Sequence, residues 1–111
     1  MLALPTEAEE QINLVKWLQI KRYPYFRVPN ETFTKSWRQK ALNTALGVSK
    51  GVPDIFIIVN GNLLAIEMKR LKGGKTSPEQ QQWIDRLNAI DIPARVCNGF
   101  LEAKDFINEY N

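Results

Sequence analysis

A chain of 111 residues with 44% hydrophobic and 24% charged residues has the balance of a soluble globular protein and enough length for one core. It contains no histidine, which removes Ser-His-Asp and Cys-His catalysis along with the commonest general base, and its single cysteine, Cys97, excludes an internal disulfide and a cysteine-rich zinc site. Any hydrolysis must therefore run on carboxylates, lysine and a metal ion.

The net charge of +3 is modest, but eight of the fifteen lysines and arginines lie from Lys35 to Lys75, where Asp54 is the only acid between Thr32 and Ala65. A basic middle around an isolated carboxylate suits an anionic polymer such as DNA or RNA, although a solvated surface helix would account for part of it. No apolar run approaches the roughly 20 residues of a membrane span, and the N-terminus lacks a basic-then-apolar signal, so a cytoplasmic location is expected. Residues 1–111 are expected to form one domain.

Met1 to Pro5 reads as a loose end. Thr6 with Glu9 three residues later is a capping box, which predicts a helix from near Glu7 to about Lys21. Leu14, Val15 and Leu18, with Trp17 and Ile12, supply its apolar face, and the stripe Glu7, Gln11, Leu14, Leu18 carries Glu7 to the edge of the buried side. Helix-dipole complementarity alone also explains acids at Glu7 and Glu10.

Pro24 ends the helical region, Tyr25 to Val28 reads as the first strand, and Pro29-Asn30-Glu31 closes it. A second helix is expected from Lys35 to Leu46, with Trp37, Ala41 and Ala45 inward and Lys35, Arg38 and Lys40 outward, stopped by Gly47. Those outward charges suit phosphate contacts that track a backbone without reading sequence. Lys50, four residues before Asp54, is either a further phosphate contact or a plain loop lysine.

The stretch from Gly51 to Lys69 organises the rest. Asp54 opens an apolar run to Val59, Asn60-Gly61 is a type I′ hairpin signal, and the returning strand places Leu64, Ile66 and Met68 on one face and Leu63, Ala65, Glu67 and Lys69 on the other. With Asn60-Gly61 as the whole loop, Asp54 falls opposite Glu67 on the same face, at a Cα separation of about 4.5–5.5 Å. Lys69 lies on that face, about 7 Å further along. Facing carboxylates repel, so a cation between them is the natural complement, and oxygen ligands select a hard ion, Mg²⁺ or Mn²⁺. A lysine beside that ion can position or deprotonate water, or steady charge on a phosphate. Two solvated acids at the open end of a hairpin remain the alternative.

Arg70, Lys72 and Lys75, with Gly73-Gly74, describe a positively charged loop beside this site. Ser77 with Gln80 is a second capping box and Pro78 suits the first helical position, so a helix should reach about Ile90 with Trp83, Ile84, Leu87 and Ile90 buried. Ala94 to Cys97 reads as a short strand, parallel to an earlier one because a helix connects them. Leu101 to Tyr110 should close the chain as a helix packing through Leu101, Phe106, Ile107 and Tyr110.

Pro53-Asp54 followed by Glu67-Met68-Lys69 is a PD-(D/E)xK signature, and with Gly51-Val52 before it and Ser77-Pro78-Glu79-Gln80 after it the chain resembles the VRR-NUC branch of that nuclease superfamily from about Glu7 to Phe106. The resemblance implies an α/β fold with an αβββαβ restriction-endonuclease-like core, a mixed central sheet flanked by helices. It implies a hydrolase in which Asp54, Glu67, a first-helix glutamate (Glu7 ahead of Glu10) and the Met68 carbonyl hold Mg²⁺ or Mn²⁺. Lys69 would then orient or activate water, with Gln80 pointing back to the site. Asn30 matches a Pro-Asn of related phage-type sequences and would face the substrate, or it is simply a turn residue. Small stand-alone members resemble Holliday-junction resolvases, which implies a homodimeric endonuclease acting on branched DNA. A non-catalytic nucleic-acid-binding module, a flap or nicking nuclease and a restriction-type nuclease are the alternatives.

Overall fold

The computed structural model describes residues 3–29 and 36–111. The elements in chain order are α1 (Glu7–Lys21), β1 (Tyr25–Arg27), α2 (Trp37–Ala45), β2 (Ile55–Val59), β3 (Asn62–Lys69), α3 (Pro78–Ala89), β4 (Ala94–Asn98) and α4 (Phe100–Asn108). The four strands form one mixed sheet in the order β1-β2-β3-β4, with the first two pairings antiparallel and β3-β4 parallel.

Local chemistry sets the boundaries. Thr6 and Glu9 close the capping box on α1, and Ser77 and Gln80 close the one on α3 with Pro78 in its first turn. Asn60 and Gly61 take φ of 52° and 78°, as a two-residue primed turn requires, and this fixes Val59 opposite Asn62.

That register sorts the hairpin's side chains between two cores. Ile55, Ile57, Val59, Leu64, Ile66 and Met68 face Leu14 and Leu18 of α1 and Phe106 and Ile107 of α4. On the opposite face Phe56 and Ala65 pack with Ile84 and Leu87 of α3 and Ala94 of β4. Glu67 and Lys69 continue the Ala65 face, so they project on the α3 side.

Several expected core positions lie outside these cores. Trp37, Ala41 and Ala45 were expected to point inward, yet no residue of α2 is buried and Trp37 is 88% exposed. Periodicity gave α2 an apolar stripe, but among the described residues no element covers it. Ile90 is exposed because α3 stops at Ala89, and Leu101 is exposed because Phe100 takes the inward position at the start of α4. Ile12 is likewise on the solvent side of α1, while Val15 and Trp17 are half-buried against the core. No described helix is long and apolar enough to cross a membrane.

Candidate active site

The end of the hairpin opposite its turn gathers the charged residues. The last β2–β3 pair is Ile55 with Ile66, and one step further the ladder sets Asp54 against Glu67. The backbone of Asp54 is held from the other side by the N–H of Val28, which donates to its carbonyl at 2.9 Å. The side chain is held as well, since the Met68 N–H donates to Asp54 Oδ2 at 2.9 Å. A strand residue's N–H and C=O point to the same side, so the Met68 carbonyl is directed to the Asp54 side of β3 while the Lys69 carbonyl accepts from Gly99 on the β4 side.

Glu67 is only 2% exposed, and its Oε1 is buried with no hydrogen-bond partner among the described residues. Its Oε2 lies 3.7 Å from Lys69 Nζ. Burial first, and then the hydrogen-bonded and like-charged Asp54 carboxylate, push the Glu67 carboxyl up to about 9 from its ordinary value of 4.5, against the opposing pull of Lys69. Lys69 is itself buried, and its Nζ donates to Gln80 Oε1 at 3.0 Å. The same oxygen accepts the Ser77 N–H at 2.9 Å, so Gln80 is both the reciprocal half of the α3 cap and the partner of the lysine.

Glu7, at the start of α1, completes the cluster: one carboxylate oxygen each from Glu7, Asp54 and Glu67 lie within 4.8 Å of one another. Partial burial raises the Glu7 carboxyl, Lys69 and Arg70 draw it down, and Asp54 adds to the rise. Glu10, the other first-helix candidate, is engaged elsewhere. Its Oε1 accepts the Phe100 N–H at 3.1 Å, capping α4 in place of Gly99, which has no side chain to do so.

A pocket of about 310 Å³ opens over the cluster, lined by Glu7, Arg27, Val28, Pro29, Asp54, Glu67 and Gln80. A donor set made only of carboxylate oxygens, one of them buried without a partner among the described residues, fits a hard divalent cation, which would offset both the burial and the neighbouring Asp54 charge that raise the Glu67 carboxyl. Of the expected nucleic-acid contacts, Arg70, Lys72 and Lys75 are exposed on the loop that leaves Lys69, and Lys50 is exposed on the loop that enters Asp54. Arg38 and Lys40 are exposed on α2 and do not line the pocket. Asn30 and Lys35 lie outside the described residues. Arg27 was missed by the sequence reading: the antiparallel pairing of β1 with β2 sets it against Ile55 and brings Val28 level with Asp54, so only the assembled pocket shows Arg27 in the wall with the acids.

A mixed four-stranded sheet flanked by helices, with an Asp at the start of one strand facing a Glu-x-Lys at the end of the next, is a PD-(D/E)xK-like nuclease fold. The VRR-NUC domain model matches residues 5–101, and the chain belongs to the VRR-NUC domain family. That membership implies a nuclease-type function. A solved structure described as a "VRR_NUC domain protein" superimposes with a TM-score of 0.80 at 24% sequence identity, covering 98% of this chain and 90% of the other, which shows the shared fold. No curated protein matches the chain.

Proposed function

We propose that residues 1–111 act as one metal-dependent endodeoxyribonuclease domain that hydrolyses phosphodiester bonds in branched DNA such as Holliday junctions. The observation that carries this reading is the buried Glu67 Oε1, without a partner among the described residues, beside Asp54 and Glu7, with the Lys69 ammonium next to Glu67. Glu7, Asp54, Glu67 and the Met68 carbonyl would hold Mg²⁺ or Mn²⁺. Such a cation supplies positive charge against the phosphate and leaving oxygens.

The chain's own groups do the positioning. Met68 N–H orients the Asp54 carboxylate, and Gln80 holds the Lys69 ammonium where it can donate to an attacking water or a phosphate oxygen. The exposed Arg70, Lys72 and Lys75 beside the pocket, with Lys50, Arg38 and Lys40, attract the phosphate backbone; such contacts follow shape and charge more than sequence. Asn30 and Lys35 belong to the same proposed surface by sequence alone. Symmetric cutting of two strands needs two sites, and Trp37, Leu42 and Leu46 of the α2 region, exposed among the described residues, offer a second copy an apolar surface.

Cleavage of linear duplex, flap and four-way-junction DNA with Mg²⁺ or Mn²⁺, by wild type and Lys69→Ala, tests the reading. Junction cutting by wild type and its loss in the variant are expected. Branched DNA left intact by wild type with either ion would overturn it.

A further inference from the structure

Among the described residues, Arg27 is the only cation in the wall of the pocket that holds Glu7, Asp54 and Glu67. It sits on the edge strand β1, paired with Ile55, and the next residue's N–H is bonded to the Asp54 carbonyl, so its backbone is tied to the strand that carries the cluster. Its side chain is exposed, and despite three carboxylates in the same wall it forms no ion pair with any described residue. Arg95, by contrast, is paired bidentately with Glu109 at 2.7 and 3.4 Å.

A pocket walled by carboxylates repels a polyanion. Lys69, the cation beside Glu67, is buried and engaged by Gln80 and Glu67, and Arg70 is exposed on the loop that leaves it rather than in the pocket wall. An exposed guanidinium at the rim has the fork geometry that matches phosphate oxygens two at a time.

We propose that Arg27 binds a substrate phosphate, holding the strand to be cut over the Glu7–Asp54–Glu67 cluster. The proposal rests on the nuclease reading and adds a substrate-anchoring residue to it.

The test compares wild type, Arg27→Ala and Arg27→Gln, with Arg95→Gln as a remote control. Junction-DNA affinity is measured across a salt series without divalent ions, and Mn²⁺ affinity is measured by calorimetry on the protein alone. Loss of Arg27 should weaken DNA binding about tenfold. It should also lower the slope of log K against log salt by about 1, raising KM more than it lowers kcat and leaving Mn²⁺ affinity as in wild type. Substrates carrying a single neutral methylphosphonate give the sharper readout. At one position wild type should fall to the level of Arg27→Gln, and the variant should lose nothing further there. Arg27→Gln keeps the side-chain stem on the edge strand, so its thermal melt should match wild type.

Wild type that cuts DNA while Arg27→Gln equals it in affinity and salt slope defeats this proposal alone. Wild type that neither binds nor cuts DNA defeats the nuclease reading as well.

Discussion

The Nζ of Lys69 lies 3.0 Å from Gln80 Oε1, an oxygen that also closes the cap of α3 by accepting the Ser77 N–H at 2.9 Å. One side-chain oxygen therefore ties the first turn of a helix to the buried lysine at the end of β3. The helix start and the position of the ammonium are set together, and the two functions separate by substitution.

Ser77→Ala removes the hydroxyl that accepts the Gln80 N–H but leaves Gln80 able to hold Lys69. It should cost about 1 kcal/mol in urea unfolding and leave kcat within a few-fold of wild type. Gln80→Ala loses the reciprocal cap bond and the lysine's partner together, so its kcat should fall much further than a comparable loss of stability explains. Equal kcat for the two variants would show that Gln80 is a cap and nothing more.

Glu67 links stability to pH. Its carboxyl rises from an ordinary 4.5 to about 9 in the folded chain, so between those values the folded state binds the proton that the unfolded state has released. The stability present in full below about pH 4.5 is therefore lost as pH climbs toward 9. Thermal melts of the metal-free protein should show Tm falling across that window, with Glu67→Gln flattening the decline. Millimolar Mn²⁺ should raise Tm by an increment that grows with pH, because the ion binds the ionised form. A pH-independent Mn²⁺ increment would contradict the assignment.

Glu7 and Glu10 lie three residues apart on α1 and should respond in opposite ways. Glu7→Gln removes a charge from the acidic cluster, so the metal-free protein should melt at or above the wild-type temperature while Mn²⁺ affinity drops at least tenfold. Glu10→Ala leaves the first N–H of α4 and its dipole without an acceptor and should lower stability by about 1–2 kcal/mol. Calorimetric titration and urea melts on both variants read the two effects separately.

The contrast between those two glutamates also shows what the sequence could and could not reveal. The hairpin was legible because Asn60-Gly61 dictates a turn and a turn dictates register, which carried Asp54 to Glu67 without any tertiary information. The caps of α1 and α3 were legible for the same reason, being bonds spanning three residues. Glu10 was not, since its partner Phe100 is 90 residues away and only the docking of α1 on α4 joins them. Gln80 read as either cap or site neighbour because local pattern could not show one oxygen serving both. Trp37 was misplaced because a helical stripe reports which side chains share a face and says nothing of what covers it.

Gly51 supplies the last prediction. It takes φ of +80°, and a Cβ built there would lie 2.6 Å from the backbone carbon of Glu79 and 2.7 Å from the nitrogen of Gln80. The loop that delivers Asp54 thus runs directly against the first turn of α3, at the residue that holds Lys69. Gly51→Ala has neither the backbone freedom nor the space, and both neighbours are main chain that cannot swing aside. It should lose roughly 2 kcal/mol or more in urea unfolding. Asp54 and Gln80 should also be driven apart, so that Mn²⁺ affinity and kcat both fall even under conditions where the protein stays folded. Gly61→Ala meets nothing within 4 Å and strains only the turn, so it should lose stability while keeping its Mn²⁺ affinity. Matching Mn²⁺ affinities for the two alanine variants would mean that the approach of the loop to α3 does not set the geometry of the site.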